Sequence, residues 1–431
     1  MSQQQDFETQ SGGGQEPQFA AFVAIDWAGR KHVWAMQKAG SDKRETGEVD
    51  SSPEAFDEWV QNLLARVDGR PVAVCLEQSR GALVCLLMKY PNLVLYPIHP
   101  AAVKRFRAAL YPSGTKDDPL DAGLQLELLL HHRGRLRAWK PDTVETRELQ
   151  ILVEQRRGLV DQRTAESNRL KQALKLYYPQ ALRWFDDVTS PLLGAFLKRW
   201  PTLESAQSAR PETLRKFFHQ HNCRSAELIQ QRIDEIGRAM PATGDPAIVR
   251  TSVLLVHHLT DMIAVLRSSI GKLEEAIRSV SRSHPDFAVF DSFPGAGDAL
   301  APRLIAAFGT QRERFPCAGD VQCFSGIAPV TVRSGKTVAV HFRFACSKFV
   351  RQTFHEWASH SIGFCDWARA YYQQQLGRGS GHHAAVRSLA AKWIRIAWRC
   401  WKDGTPYNEQ TYLDALRRRG SPLADKLAAA Q

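Results

Sequence analysis

Four carboxylates and one hydroxyl carry the chemistry that this sequence makes legible. Asp26 closes the apolar run AFVAID and Glu77 closes PVAVCLE. A strand end in a layered α/β fold delivers a side chain rigidly to the sheet edge, which is where sites of such folds are built. Asp118 and Asp121, in KDDPLDA at 116–122, are three residues apart and so share one face of a helix. Four acidic groups brought together repel one another unless a cation sits among them, and Mg²⁺ (or Mn²⁺) held by carboxylates and phosphate oxygens is the usual resolution. Two such ions about 3.5–4 Å apart clamp the attacking and leaving oxygens of a phosphodiester exchange. The set therefore points to phosphoryl transfer. Each piece also has a plainer reading. Acidic residues after strands are common, and Asp118-Pro119-Leu120-Asp121 reads as a helix start with Asp118 as N-cap, proline at N1 and Asp121 at N3. Order lifts the set: strand Asp, strand Glu, then a paired-Asp helix within about one hundred residues.

The hydroxyl is Ser334, in a polar turn between two β-like apolar runs of GIAPVTVRSGKTVAV (326–340). Ser-Gly is a routine turn dipeptide. In the functional reading the turn exposes the hydroxyl, Arg333 and Lys336 neutralise a phosphate, and the serine forms a covalent link to DNA. The turn contains no histidine or acid to act as base, so activation has to come from elsewhere, with the metal of the carboxylate set as the candidate.

The elements that must position these groups follow from periodicity. Residues 1–19 are polar, Gly-rich and expected to be disordered. From 20 to 138 short β-like runs (21–26, 32–39, 71–77, 93–98) alternate with helical stretches, one around 54–66. The solid apolar character of the first, third and fourth runs suits central strands covered on both faces, hence an α/β domain. From 139 to 285 the chain reads as helical, with long amphipathic segments at 143–178 (Leu149, Leu152, Leu159, Leu170, Leu174) and 246–281 (Val249, Val256, Leu259, Ile263, Leu266, Ile270, Leu273, Ile277). At 1.5 Å per residue each stretches roughly 50 Å. Two arrangements fit: an antiparallel pair inside one subunit, or a dimerising coiled coil. The stretch 180–245 is helical without visible chemistry. A third part, 286–419, reads as mainly α, and 420–431 as a tail. It opens with FDSFPGAGDALAPRLIAAFG, a turn that either packs helix on helix or offers backbone N–H groups to a phosphate. Trp393, Trp398 and Trp401 lie at helical spacing, a pattern more often core than base-stacking platform.

Lysine plus arginine number 57 against 45 acidic residues, a net charge of +12, which suits a partner of polyanions. The charge concentrates late: 312–351 holds seven Lys/Arg against two acidic residues, and 384–419 holds eight against three. The start lacks a signal peptide's basic and apolar regions, and no later run approaches the ~20 apolar residues of a membrane span, so a cytoplasmic protein without membrane partner is expected. The eight cysteines form no CxxC or Cys/His knuckle, so neither a zinc site nor a disulfide framework is indicated.

Taken together, AIDWAGRKH (24–32), CLEQS (75–79), GTKDDPLDA (114–122), the R-x-x-L-V-x-x-R run (156–163), FPGAGDALAPRLIAAFG (293–309) and FSGIAPVTVRSGK (324–336) resemble the IS-one-ten family of insertion-sequence transposases, also called DEDD transposases. The resemblance runs from about 20 to 405 in the family's order, and the middle matches least. It implies a ribonuclease-H-like N-terminal sheet similar to that of Holliday-junction resolvases of the RuvC type, then a coiled coil, then a transposase domain. It also implies that Asp26, Glu77, Asp118 and Asp121 are the metal-binding tetrad and Ser334 the nucleophile. The partners it implies are DNA, a structured noncoding guide RNA that pairs with target and donor, and further copies of the chain in a dimer or tetramer. Sequence choice would then be delegated to base pairing, with the protein reading backbone and shape, and the excess of Lys/Arg serves that division. Two departures stand out. Asp117 replaces the family's usual threonine, leaving two registers for the ligand, Asp117 or Asp118. SKFVR (347–351) stands where the family often has Ser-Lys-x-Gly-Asn.

The expectation is an RNA-guided, Mg²⁺-dependent recombinase with a serine–phosphate intermediate, in which Lys116, Arg333, Lys336, Arg343, Lys348 and Arg351 contact nucleic acid. Its rivals are a hydrolytic junction-resolving nuclease, with Ser334 only a turn residue, and a non-enzymatic nucleic-acid scaffold, with the acids as helix caps.

Overall fold

AFVAID forms β1 (Ala21–Asp26), central in a five-stranded sheet whose residues alternate between two covered faces. The computed structural model describes residues 18–77, 79–111, 118–335, 337–423 and 427, with backbone alone at Asp118 and Pro119. It divides into two compact units, Met1–Pro141 and Asp142–Gln431.

In the first unit β1 is followed by β2 (Lys31–Lys38), β3 (Arg44–Asp50), α1 (Pro53–Ala65), β4 (Val72–Leu76), α2 (Ala82–Leu87), β5 (Leu93–Pro97), α3 (Pro100–Leu110) and α4 (Asp118–His132). The strand order is β3-β2-β1-β4-β5. β1, β2 and β3 pair antiparallel, while β4 lies parallel to β1 and β5 parallel to β4. All five residues of β4 are buried, as a strand covered on both faces requires. Val23, Ile25, Val72, Val74 and Leu76 pack on α1 and α2 through Phe56, Val60, Leu83 and Leu87. Ala24, Ala73 and Cys75 face the other way, onto Val103 of α3 and Ala122, Leu126 and Leu129 of α4. The small residues on that second face let α4 sit close to β1. Sequence caps set the helix starts: Ser52 accepts from Ala55 N at 3.3 Å ahead of Pro53, and His99 Nδ1 from Ala101 N at 3.1 Å ahead of Pro100. The strand β3 was not foreseen, because RETGEVD buries Val49 alone.

Among the described residues the second unit is helical apart from one hairpin. α5 (Val144–Tyr177) is followed by five helices, α6 (Ala181–Trp184), α7 (Pro191–Arg199), α8 (Leu203–Gln207), α9 (Pro211–Gln220) and α10 (Ala226–Arg238), and then by α11 (Pro246–Ser283). Next come α12 (Phe287–Asp291), α13 (Gly297–Phe308), α14 (Ala318–Phe324), β6 (Val330–Ser334), β7 (Thr337–His341), α15 (Lys348–Phe364), α16 (Asp366–Gly377), α17 (His382–Asp403) and α18 (Glu409–Arg418). α5 and α11 pair antiparallel within the chain and join two cores. Leu149 and Val153 of α5 meet Ile277 of α11 in the core of the C-terminal helices. Leu170 and Leu174 meet Val256, Leu259 and Ile263 in the core of α6–α10. The arginines on the α5 seam are paired: Arg156 reaches Glu274 at 2.6 Å and Arg157 reaches Asp161 at 2.5 Å.

Among the described residues α11 is the one helix long and apolar enough, by length and composition alone, to cross a membrane. Its apolar character serves α5 on one side and leaves Leu254 and Val265 more than half exposed on another.

Trp357, Trp367, Trp393 and Trp401 are fully buried. Their indole N–H groups donate to Pro294 O, Tyr407 Oη, Ser361 Oγ and Gly309 O at 2.8–3.2 Å, so apolar bulk is buried without orphaning a donor. Trp398 is half-buried and donates to Phe315 O at 2.9 Å. The tryptophan periodicity of α17 is thus a core pattern. Packing also explains the PGAG turn: Gly295 has φ +74°, and a Cβ there would lie 3.0 Å from Ser361 N.

At the foot of α5 a buried polar network closes the second unit. His284 Nδ1 accepts from Asp286 N at 3.1 Å, which leaves the proton on Nε2, 2.8 Å from Thr146 Oγ1. Asp286 in turn pairs with Arg312. Burial holds the His284 imidazole below its usual pKa of about 6.5. The folded state therefore binds fewer protons than the unfolded one between the lowered value and about 6.5. This contribution to stability is complete above pH 6.5 and is lost as the pH falls through the folded value. The urea midpoint is expected to drop between pH 7 and pH 5.5, and to drop less in His284→Gln. An equal drop in the variant would remove His284 from the account.

Candidate metal centre and nucleophile

Register brings the first two carboxylates together. Ile25 of β1 is paired with Leu76 of β4 in parallel, and Asp26 and Glu77 follow them in sequence, Asp26 as the last residue of β1 and Glu77 one residue past the end of β4. Alternation turns Asp26 toward the α4 face, the face of Ala24. The Glu77 charge adds to burial in pushing the Cys75 thiol upward, which places that carboxylate beside Cys75. α4 crosses this edge. Its Gln125 Nε2 donates to Asp26 Oδ1 at 3.3 Å, and Asp121, one turn earlier on the same helical face, is buried. Arg107 of α3 forms an ion pair with the Asp121 carboxylate. Asp118 opens α4, but its side chain, like Lys116 and Asp117, lies outside the described residues.

The structure thus brings Asp26, Glu77 and Asp121 to one end of the sheet. Among the described residues no three His, Cys, Asp or Glu side chains are gathered tightly enough to hold a metal ion. The donor set nevertheless suits a hard divalent cation. It consists of carboxylates alone, two of them fixed by adjacent parallel strands, with a third on the helix that also orients Asp26.

Ser334 is the last residue of β6, directly opposite Thr337 across the turn, and it is exposed. Gly335 supplies the φ of +56° that a tight hairpin turn requires. Lys336 lies outside the described residues. Arg333 is exposed and points to the other face of the hairpin from Ser334. The remaining predicted cations flank the hairpin. Arg343 donates to Ala328 O at 3.1 Å and Pro329 O at 3.4 Å, and Arg351 donates to Phe344 O at 3.5 Å. Arg351 and Arg387 lie 4.5 and 5.4 Å from the centroid of the Phe342 ring. Arg343 and Arg351 therefore hold the strand ends, a task the sequence did not reveal. Lys348 is exposed at the start of α15, after the N-cap Ser347, whose hydroxyl accepts from Val350 N at 3.3 Å. SKFVR is thus a helix start.

The described residues thus form a five-stranded mixed sheet with acidic residues at its strand ends, followed by a helical unit that carries a serine-tipped hairpin. Family comparison assigns both parts. Residues 23–179 match a transposase model of the DEDD IS110 type, and residues 288–373 match the transposase model of the IS116/IS110/IS902 family. The IS117 mini-circle protein of Streptomyces coelicolor is 26% identical over 405 residues, covering 92% of this chain and 97% of that protein. A 43.6 kDa protein of insertion element IS110 from the same organism is 26% identical over 322 residues, 72% of this chain and 76% of its own length. A 42 kDa protein of insertion element IS900 from Mycobacterium paratuberculosis is 24% identical over 370 residues, 84% of this chain and 91% of its own. The chain belongs to the IS110 family of insertion-sequence transposases, enzymes that cut and rejoin DNA.

Proposed function

We propose that this transposase moves DNA strands through a covalent serine–phosphodiester intermediate, with Asp26, Glu77, Asp118 and Asp121 holding divalent metal on a ribonuclease-H-like sheet. The observation that supports this reading is the parallel pairing of β1 and β4, whose last pair, Ile25 and Leu76, is followed by Asp26 and Glu77, with α4 carrying Asp121 and reaching Asp26 through Gln125. A bound Mg²⁺ or Mn²⁺ would stabilise negative charge on the transferring phosphoryl oxygens. The chain's own groups do the rest. The carboxylates position the phosphate, Lys336 neutralises charge beside the hydroxyl, and Ser334 Oγ attacks phosphorus. One Oγ–P bond forms as one P–O bond to the leaving nucleoside breaks, and the serine proton ends on the leaving oxygen. The reverse step with another strand's hydroxyl restores Ser334. Because phosphodiester bonds are exchanged rather than spent, strand transfer needs no external energy source.

RNA guidance follows from the family resemblance and is favoured by the net +12 charge, which suits backbone recognition. The test is one reaction with three arms. The full chain, with RNA transcribed from its own locus and a DNA substrate from the element's junction, is expected to give a protein–DNA adduct that survives denaturation. EDTA should abolish it, and omission of the RNA should abolish site selection. A cleaved product without adduct would overturn the serine step in favour of hydrolysis. Binding with neither cleavage nor adduct would leave a scaffold.

A further inference from the structure

Beside the carboxylates stands a feature that metal binding does not use. Trp27 follows Asp26 directly, and its indole is 46% exposed. It is not loose. The ring stacks on His32, with centroids 6.2 Å apart and planes 29° from parallel. His32 is 2% exposed and meets the Phe56 ring edge-on at 5.6 Å. The loop beneath is pinned at two points: Ala28 N donates to His32 Nδ1 at 3.2 Å, and Ser51 N to Arg30 O at 2.9 Å. With Nδ1 accepting and burial lowering its pKa, His32 is a neutral flat support. Arg30, three residues on, is exposed. A rigid aromatic plane open to solvent, directly after Asp26 and with an exposed arginine three residues along the chain, has the elements of a base-stacking platform.

We propose that Trp27 stacks on a nucleobase of the DNA strand whose phosphate lies at the carboxylates, a role that rests on the metal-centre reading given above. Side-chain contacts supply the geometry. Asp26 accepts from Gln125 of α4, while Trp27 stacks on His32, which meets Phe56 of α1, so the indole lies on the α1 side of the strand end that carries Asp26. A nucleotide's base and phosphate likewise extend from opposite sides of its sugar, so one nucleotide spans the edge with its phosphate on one face and its base on the other. Stacking has no hydrogen-bond readout, so the platform fits a site where sequence is chosen by pairing rather than by protein.

The test uses the full chain and a single-stranded oligodeoxynucleotide carrying 2-aminopurine, read by fluorescence in Ca²⁺. Trp27→Ala is expected to weaken binding about 5- to 150-fold and to remove the quenching at one position. Trp27→Phe should restore most of both. The slope of affinity against salt should be unchanged, since no phosphate contact is lost. Binding by Trp27→Ala within twofold of wild type, a changed salt slope, or no rescue by phenylalanine would overturn the platform and leave the metal centre standing. Failure of the wild-type chain to bind the oligonucleotide would overturn both.

Discussion

Ser334→Ala is expected to lose the covalent adduct entirely and strand exchange by about three orders of magnitude or more, because the variant has no atom to form the Oγ–P bond. Ser334 is exposed at a hairpin end, so the fold should change by no more than about 0.5 kcal/mol, and DNA affinity should persist. Denaturing gels of end-labelled substrate read the adduct, and circular dichroism reads the fold. The contrast with water-mediated cleavage is sharp: a nuclease that uses the carboxylates to activate water keeps cutting without the serine. Undiminished cleavage by the alanine variant would therefore make Ser334 a turn residue, as its Ser-Gly neighbourhood alone suggests.

How much of this was visible in the chain depends on which residues do two jobs. Asp26 and Glu77 were legible because each ends an uninterrupted apolar run, and such runs become central strands whose ends are rigid. Their adjacency was not legible, because the spacing of 51 residues says nothing about which strands pair. Only the parallel β1–β4 register supplies it. β3 stayed hidden because it is a polar edge strand with one buried valine, so neither alternation nor an apolar run marks it. The tasks of Arg343 and Arg351 were hidden for a different reason. A cation beside a serine turn reads as a phosphate contact in sequence, whereas backbone carbonyls and a ring nearby in space compete for the same guanidinium. Gln125 was missed altogether. A glutamine one turn past an aspartate carries no motif, yet it donates a hydrogen bond to Asp26.

Glu77→Gln is expected to move activity and stability in opposite directions. The substitution keeps the shape and removes one charge from a pair at neighbouring strand ends. At an effective dielectric of about 20, two carboxylate charges about 5 Å apart would repel by roughly 3 kcal/mol. Loss of that repulsion should raise the melting temperature in EDTA. The same loss removes a metal ligand, so cleavage should fall by at least about 10²-fold and the stabilisation that Mg²⁺ gives the wild-type chain should shrink. A purely structural glutamate predicts the reverse pattern, a lower melting temperature in EDTA with the metal response intact. Thermal melts of both proteins with and without Mg²⁺, set beside a cleavage assay, separate the two. If the variant melts lower than wild type in EDTA and responds equally to Mg²⁺, Glu77 binds no metal, and the register of β1 and β4 has no part in the chemistry.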